Sequence, residues 1–271
     1  MTHGSGIPAL ERVSVIANDP IAPGVGLIVL HAPRCASLVR PGQFVHLRIA
    51  PGADIILRRP FSIHRAYGQR IEILYQILGT GTLRLAEKPA GDESMDLVGP
   101  LGTGWNIPAG TAHALLVAGG LGAAPLGMLA EQLAEQGVAV TVAQGAPTAE
   151  RLIARDLFER VARKVEVATD DGSAGEHGFV TGPVARLLES EPFDVVYVCG
   201  PEAMQRSVAQ QVAATEAQCQ VSLERLMACG IGVCLSCVVS TRDGQRRACV
   251  DGPVFAAEEV VWDASETPPK H

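Results

Sequence analysis

Four cysteines crowded toward the carboxyl end are the residues whose type and spacing speak most directly of chemistry: Cys229-x4-Cys234-x2-Cys237-x11-Cys249. The first three follow the C-x4-C-x2-C spacing of plant-type [2Fe–2S] ligation, with a fourth thiolate further on. Gly230, Ile231, Gly232, Val233, Leu235 and Ser236 between them are small or apolar. A loop of that composition can wrap closely, aim amide N–H groups at inorganic sulfides and keep bulk water away. A four-thiolate zinc site and four free thiols are the alternatives. Zinc sites favour two short C-x2-4-C knuckles, and only Cys234–Cys237 has that form. An iron–sulfur cluster fits the spacing best and would move electrons singly.

Further upstream, Arg58-Arg59-Pro60-Phe61-Ser62-Ile63 places a guanidinium beside a proline-fixed extended backbone, a ring and a hydroxyl. An arginine so placed can hold a phosphate through a bidentate contact. Leu74-Tyr75-Gln76-Ile77-Leu78-Gly79-Thr80-Gly81-Thr82 reads as a strand entering a glycine turn ahead of a short helix, with the Gly81 and Thr82 amides placed for a pyrophosphate. Each run taken singly is also compatible with a surface arginine or an ordinary hairpin turn. Later, Leu115–Ala118 leads into Gly119-Gly120-Leu121-Gly122-Ala123-Ala124-Pro125, a glycine turn between a strand and a helix. It departs from G-x-G-x-x-G yet still offers a diphosphate the N-terminus of a helix. Cys199-Gly200-Pro201 closes a later strand, placing Cys199 at the mouth of the same crevice unless it is a small buried hydrophobe.

These motifs need two kinds of scaffold. Up to about residue 108, apolar runs at Val13–Ile16, Leu27–Leu30, Phe44–Ile49 and Ile71–Leu78 alternate with turns at Pro20, Pro23–Gly26, Pro41–Gly42 and Pro51–Gly52, predicting an antiparallel β-barrel or sandwich. From 109 to 217 the rhythm becomes strand–helix: strands at Ala114–Ala118, Val138–Ala143, Val165–Ala168 and Val195–Cys199, helices at about Ala124–Glu135, Ala149–Val161, Val184–Ser190 and Glu202–Ala214. That alternation predicts a parallel α/β sheet with its ligand at the carboxyl ends of the strands. Residues 218–271 hold the cysteines, short β runs at Val254–Phe255 and Val260–Trp262, and a frayed tail Glu266–His271. The fold class is thus β plus α/β with a small cluster-binding extension.

At 271 residues the chain suits two or three domains, and 47% hydrophobic against 19% charged residues argues for a folded core. A formal net charge of −7 disfavours nucleic acid as a partner. The amino terminus lacks a basic region followed by an apolar stretch. The uncharged run Leu97–Ala130 is broken by Pro100, Pro108, Gly119, Gly120, Gly122 and Pro125, so no membrane span is expected and the location expected is cytoplasmic. Seven cysteines, an odd number, fit metal ligation better than a disulfide framework, with Cys35 and Cys219 left as structural thiols. The seven histidines show no ligand or triad pairing, and His64 reads as a surface polar residue.

In order, Arg-Pro-Phe-Ser, Gly-Thr-Gly-Thr, Gly-Gly-x-Gly-x-x-Pro and Cys-Gly-Pro resemble the ferredoxin–NADP reductase superfamily, in which a flavin-binding β-barrel precedes a nicotinamide-binding α/β domain. The runs from Glu224 to Cys234 and from Cys249 to Phe255 are similar to the electron-transfer subunits of dihydroorotate dehydrogenase B, and the resemblance covers nearly the whole chain. It implies FAD on Arg59, Pro60, Phe61 and Ser62, lined by Leu74, Tyr75 and Gln76, with the pyrophosphate at Gly81 and Thr82. Phe61 stands where tyrosine is common, keeping the ring without the hydroxyl. It further implies NAD at Gly119, Gly120, Gly122, Cys199, Gly200 and Pro201, and a [2Fe–2S] cluster on Cys229, Cys234, Cys237 and Cys249. NADP-using members carry Ser and Arg after the third α/β strand; here Asp170 and Asp171 would repel a 2′-phosphate and accept from ribose hydroxyls. The implied function is electron transfer in pyrimidine biosynthesis. A separate FMN-containing catalytic subunit would oxidise dihydroorotate, and electrons would pass through the cluster and FAD to NAD⁺ within a heterotetramer. A diaphorase subunit of a hydrogenase or a ferredoxin-linked NAD(P)H oxidoreductase is a second expectation, and a redox-sensing module without turnover a third.

Overall fold

The computed structural model describes residues 8–50 and 55–262. The expected turn at Pro51–Gly52 and the tail Glu266–His271 lie outside the described residues. In chain order the elements are β1 (Ala9–Ala22), β2 (Val25–His31), α1 (Pro33–Leu38), β3 (Phe44–Arg48), β4 (Arg59–Ser62), β5 (Arg65–Tyr67), β6 (Arg70–Gln76), α2 (Thr80–Ala86) and β7 (Met95–Leu101). Then follow β8 (His113–Gly119), α3 (Gly127–Glu135), β9 (Ala139–Ala146), α4 (Arg155–Val161), β10 (Lys164–Thr169), β11 (Glu176–His177), α5 (Thr181–Ser190), β12 (Val195–Cys199), α6 (Glu202–Val212) and β13 (Gln218–Ser222). The chain closes with β14 (Val238–Thr241), β15 (Gly244–Arg247) and β16 (Val254–Ala256).

Two compact units result. The first comprises the chain up to Gly104 together with Glu224–Pro253; the second comprises Trp105–Leu223 and Val254–Trp262. In the first unit seven antiparallel strands run in the order β4-β3-β7-β1-β2-β6-β5, and β14 pairs with β15 as a separate hairpin. Alternation along these strands buries Val13, Val15, Ile28, Leu30, Val45, Leu47, Ile71, Ile73 and Leu97. Each such side chain contributes about 1.5–3 kcal/mol of apolar burial. The opposite face of β3 is also covered: His46 packs under Gly230, and Phe44 meets the Gly102 region together with Pro253. The cysteine-bearing segment therefore packs on the outside of the β sheet.

The second unit is a seven-stranded sheet in the order β11-β10-β9-β8-β12-β13-β16, parallel except where β16 joins β13 antiparallel. Leu115–Ala118 and Val195–Val198 are wholly buried, the continuous apolar runs of a sheet covered on both faces. The chain winds from β8 toward β9 and β10 on one side and later to β12 and β13 on the other. The strand order thus reverses between β8 and β12, and the carboxyl-end crevice at such a reversal is where α/β sheets bind ligands.

Three sequence expectations change in detail. The helix expected from Ala124 begins as a 3-10 helix at Gly120–Leu126, tightened around Pro125, before α3. The helix expected over Ala149–Val161 breaks into a 3-10 turn (Ala149–Arg151) and α4, with Ala154 in the left-handed region at φ 60° between them. Val260–Trp262 follows a 3-10 turn at Ala257–Glu259 and belongs to none of the named strands. Among the described residues no helix is long and apolar enough to cross a membrane.

Candidate redox sites

The cysteine loop lacks regular structure, and hydrogen bonds shape it. The amides of Ile231, Val233 and Cys234 all donate toward Cys229 Sγ, at 3.4, 3.4 and 3.5 Å. Three amide donors thus converge on one sulfur. The turns need Gly230 and Gly232 in the left-handed region (φ 70° and 83°), and Leu235 is held there too at φ 60°. For a leucine that conformation costs about 1–2 kcal/mol, a strain the surrounding loop must hold in place. Arg247 anchors the far side: it pairs with Asp251 and donates from Nη1 to the Gly232 carbonyl at 3.2 Å.

The four thiols fall into two environments. Cys234 is exposed, and hydrogen bonds from Ser236, then contact with Cys229, bring its pKa down to about 6. Cys237 and Cys249 are buried, and burial followed by contact with Cys237 pushes the Cys249 thiol up to about 12. Cys229 thus neighbours Cys234 and Cys237 neighbours Cys249, with the charge of Cys229 also felt at Cys249. Among the described residues no three such side chains converge as ligands of a single ion. Two thiol pairs match the demand of a two-iron cluster. The residues present fit that group.

In the same unit the two flavin-side motifs meet. Arg58 is committed to the scaffold: it pairs with the buried Asp96, which also pairs with Arg48, and it donates to the Asp96 carbonyl at 3.2 Å. Arg59, by contrast, lays its guanidinium along Gly81, where a Cβ would stand only 3.1 Å from Arg59 Nε. The arginine of the first motif and the glycine of the second thus form one surface. Pro60, Phe61 and Ser62 are half-buried on the edge strand β4, paired with His46, Val45 and Phe44 of β3. Thr82 closes its own turn, its Oγ1 accepting from the Leu78 amide at 2.9 Å and the Gly79 amide at 3.3 Å.

Tyr75, for which the resemblance implies a place lining the FAD, has its ring and hydroxyl packed within the unit. Its ring lies against Gly26, where any Cβ would come within 2.4 Å, and its hydroxyl donates to Asn18 Oδ1 at 2.8 Å. Asn18 Nδ2 then donates to the carbonyls of Leu85 and Lys88, fixing the end of α2. Tyr75 therefore positions the helix that follows the glycine turn. Leu74 is buried and Gln76 half-buried on the same strand. His64 is 5% exposed, so it is a core residue rather than a surface one.

In the second unit the glycine turns of β8 and β12 nest backbone against backbone. A Cβ on Gly122 would stand 2.1 Å from the Cys199 carbonyl oxygen, and one on Gly200 (φ 152°) 2.9 Å from Gly119 Cα. Met204, which sequence reasoning missed, covers the join: its Sδ would lie 2.6 Å from a Cβ on Gly119. Gly120 faces open space at φ 53°. Cys199 turns its thiol inward, 3% exposed with Sγ 3.9 Å from the Ser222 carbonyl, so only its backbone faces the nest. Asp170 and Asp171 are exposed beyond β10. Asp171 accepts from the Ser173 hydroxyl and amide at 2.6 and 2.9 Å, which holds its carboxyl below the usual range. Ser173 in turn accepts from the Ala149 amide at 2.8 Å, tying together the loops after β9 and β10. Cys35 and Cys219 are free thiols raised to about 12 by burial.

Known proteins share this arrangement. Residues 224–261 match the family described as the iron–sulfur cluster binding domain of dihydroorotate dehydrogenase B, and residues 116–210 match the oxidoreductase NAD-binding domain. The dihydroorotate dehydrogenase B (NAD(+)) electron transfer subunit of Desulforamulus reducens is 38% identical over 92% of this chain and 97% of that protein. The Bacillus caldolyticus subunit of the same name is 40% identical over 93% of this chain and 98% of its own. Among solved structures, a chain from the NADH-dependent reduced ferredoxin-NADP oxidoreductase studied for flavin-based electron bifurcation superposes with a TM-score of 0.84. It is 32% identical and covers 93% of this chain and 90% of that one. With full-length identity at this level and a cysteine loop built for a two-iron cluster, the chain belongs to the family of electron transfer subunits of dihydroorotate dehydrogenase B.

Proposed function

We propose that this chain carries electrons from a partner FMN subunit, which oxidises dihydroorotate, to NAD⁺, using a [2Fe–2S] cluster and FAD held on its own residues. The observation that carries this reading is the Cys229 loop, with three amides aimed at one sulfur and the thiols in two pairs, packed on the sheet that bears Arg59. By role the chain divides into 1–108 for FAD, 109–217 for NAD and 218–271 for the cluster, a division of chemistry rather than of packing.

When bound, the cluster moves single electrons and the flavin handles one or two, which lets a one-electron donor serve a two-electron nicotinamide. The protein residues bind and orient. Cys229, Cys234, Cys237 and Cys249 hold the irons. Arg59, beside Gly81, offers its charge to the FAD pyrophosphate, which Gly81 and Thr82 would hold; Pro60, Phe61 and Ser62 present the edge strand to the flavin, and Leu74, Tyr75 and Gln76 would line it. Gly119, Gly120 and Gly122 with Cys199, Gly200 and Pro201 give the dinucleotide a backbone surface. Asp170 favours NAD over NADP.

Ile231, Val233 and Leu235 are 53%, 76% and 61% exposed at the tip of the cysteine loop. An apolar tip over a redox centre suits docking of the FMN subunit. None of the seven cysteines forms a disulfide, which suits a reducing cytoplasm.

Anaerobic purification with iron, sulfide and flavin assays tests the cofactors: about two irons, two sulfides and one FAD per chain are expected, and zinc without flavin overturns the reading. Dihydroorotate should bleach the flavin only when the FMN subunit is added. Bleaching instead by reduced ferredoxin alone would favour a ferredoxin-linked oxidoreductase, the kind of enzyme to which the similar solved chain belongs.

A further inference from the structure

One buried side chain stands where the cysteine loop meets the flavin-side strands and takes no part in the roles above. His46 is 0% exposed on β3, directly opposite Pro60 of the Arg-Pro-Phe-Ser strand. Gly230, the residue after Cys229, lies against its ring: a Cβ there would come within 2.6 Å of Nδ1 and 3.0 Å of Cγ. Neither ring nitrogen completes a hydrogen bond. The main-chain carbonyls of Cys229 and Arg58 lie beside the ring. A core position on a β strand ordinarily takes an aliphatic side chain, and an imidazole buried without a partner is unfavourable unless its N–H serves something.

We propose that His46 is a positioning residue that tunes the cluster: its buried imidazole lies against the cysteine loop at Gly230, the residue after Cys229, and sets the cluster's reduction potential. The reduced cluster carries one more negative charge than the oxidised one. The positive end of an N–H dipole buried nearby favours that added charge, and a dry environment magnifies the effect. Because His46 shares a strand pair with Pro60, the same residue joins the cluster's first ligand to the flavin-side motif. Gly230 keeps the approach open, since any side chain there would strike the ring.

The inference rests on the four cysteines being cluster ligands, and the test separates the two. Wild type, His46→Leu, His46→Gln and Gly230→Ala chains are purified anaerobically, assayed for iron and FAD, and titrated redox-potentiometrically with the cluster followed by electron paramagnetic resonance. Wild-type protein without iron sinks the cluster reading itself. With iron and FAD at wild-type content, His46→Leu is expected to titrate at a more negative potential with an altered resonance signal, and His46→Gln, which keeps an N–H, to return toward wild type. Gly230→Ala reaches the same contact from the loop side and is expected to shift in the same direction. Unchanged potentials in His46→Leu or in Gly230→Ala overturn the proposal. So does an equal shift in His46→Gln, or a His46→Leu chain that loses FAD together with iron, which would make His46 a scaffold residue only.

Discussion

The cysteine loop and the glycine nest, the two candidate redox sites, are built by opposite means. In the loop the chemistry lies in side chains: four thiols on an irregular segment, with amides of the same loop turned onto Cys229 Sγ. In the nest it lies in missing side chains, two turns at neighbouring strand ends touching through bare backbone at Gly119, Gly122 and Gly200. A site made of side chains loses its ligand when one group is removed. A site made of absences fails when one atom is added.

The largest expected effect tests the first half of that contrast. Cys229→Ala should abolish the cluster absorbance and the dihydroorotate-coupled reaction with the partner, while NADH-to-dye electron transfer by the purified chain persists; loss of both activities would mean that the two sites do not fail separately. Next comes the addition of one atom. Gly122→Ala places a methyl 2.1 Å from the Cys199 carbonyl, and overpacking of that kind costs about 3 kcal/mol or more. Thermal melting and NADH-to-dye turnover should both fall, while iron content stays. Gly120→Ala, with open space around it and only a positive φ to oppose it, should cost about 1 kcal/mol. Similar melting points for the two variants would dissolve the nest.

A smaller effect sharpens which carboxylate reads the nicotinamide. Asp171 is held by the Ser173 turn, so on the proposed reading Asp170 is the carboxylate offered to the ribose. Asp170→Ser should raise the NADPH-to-NADH ratio of kcat/KM by about tenfold, equivalent to ~1.4 kcal/mol, and Asp171→Asn should leave that ratio alone. A change confined to Asp171→Asn reverses the assignment. The smallest effect is at the amino edge of the same sheet, where Asp194 accepts the amides of Ala112 and His113 at 2.8 Å. Those bonds lower its pKa. Its contribution is present above the unfolded carboxylate pKa of about 3.9 and is lost as pH falls through the lower folded value. Acid titration of melting temperature should show wild type above Asp194→Asn near neutrality and the two converging at low pH. Solvent screening keeps the gap small.

How much of this was legible in sequence follows the same contrast. Cysteine spacing announces its own chemistry, because ligand type and interval are local. Strand positions were also local: β12 falls at Val195–Cys199, where the apolar run placed it. Glycine turns reveal only that a side chain is missing, and that Gly122 faces the Cys199 backbone depends on parallel pairing between β8 and β12. The packing of Tyr75 was hidden for a related reason: its place in the motif suggested a lining role, and only strand pairing shows that Gly26 opens the space its ring fills. His46 gave no signal, since its neighbour Gly230 is 184 positions distant and lies in another motif. Ala154 broke an expected helix with an alanine in the left-handed region, which propensity alone gives no reason to expect.

The return of the chain after the cysteines bears on how such a protein can be cut or recombined. Val254–Ala256 adds the last strand to the nicotinamide-side sheet, alongside β13. The cluster-bearing segment is therefore an insertion with both ends anchored, and not a module hung on a terminus. Truncation ahead of Val254 would uncover the β13 edge and leave a template for intermolecular pairing. A graft of the cysteine loop onto another reductase would need to keep that returning strand, or replace it with another edge cover.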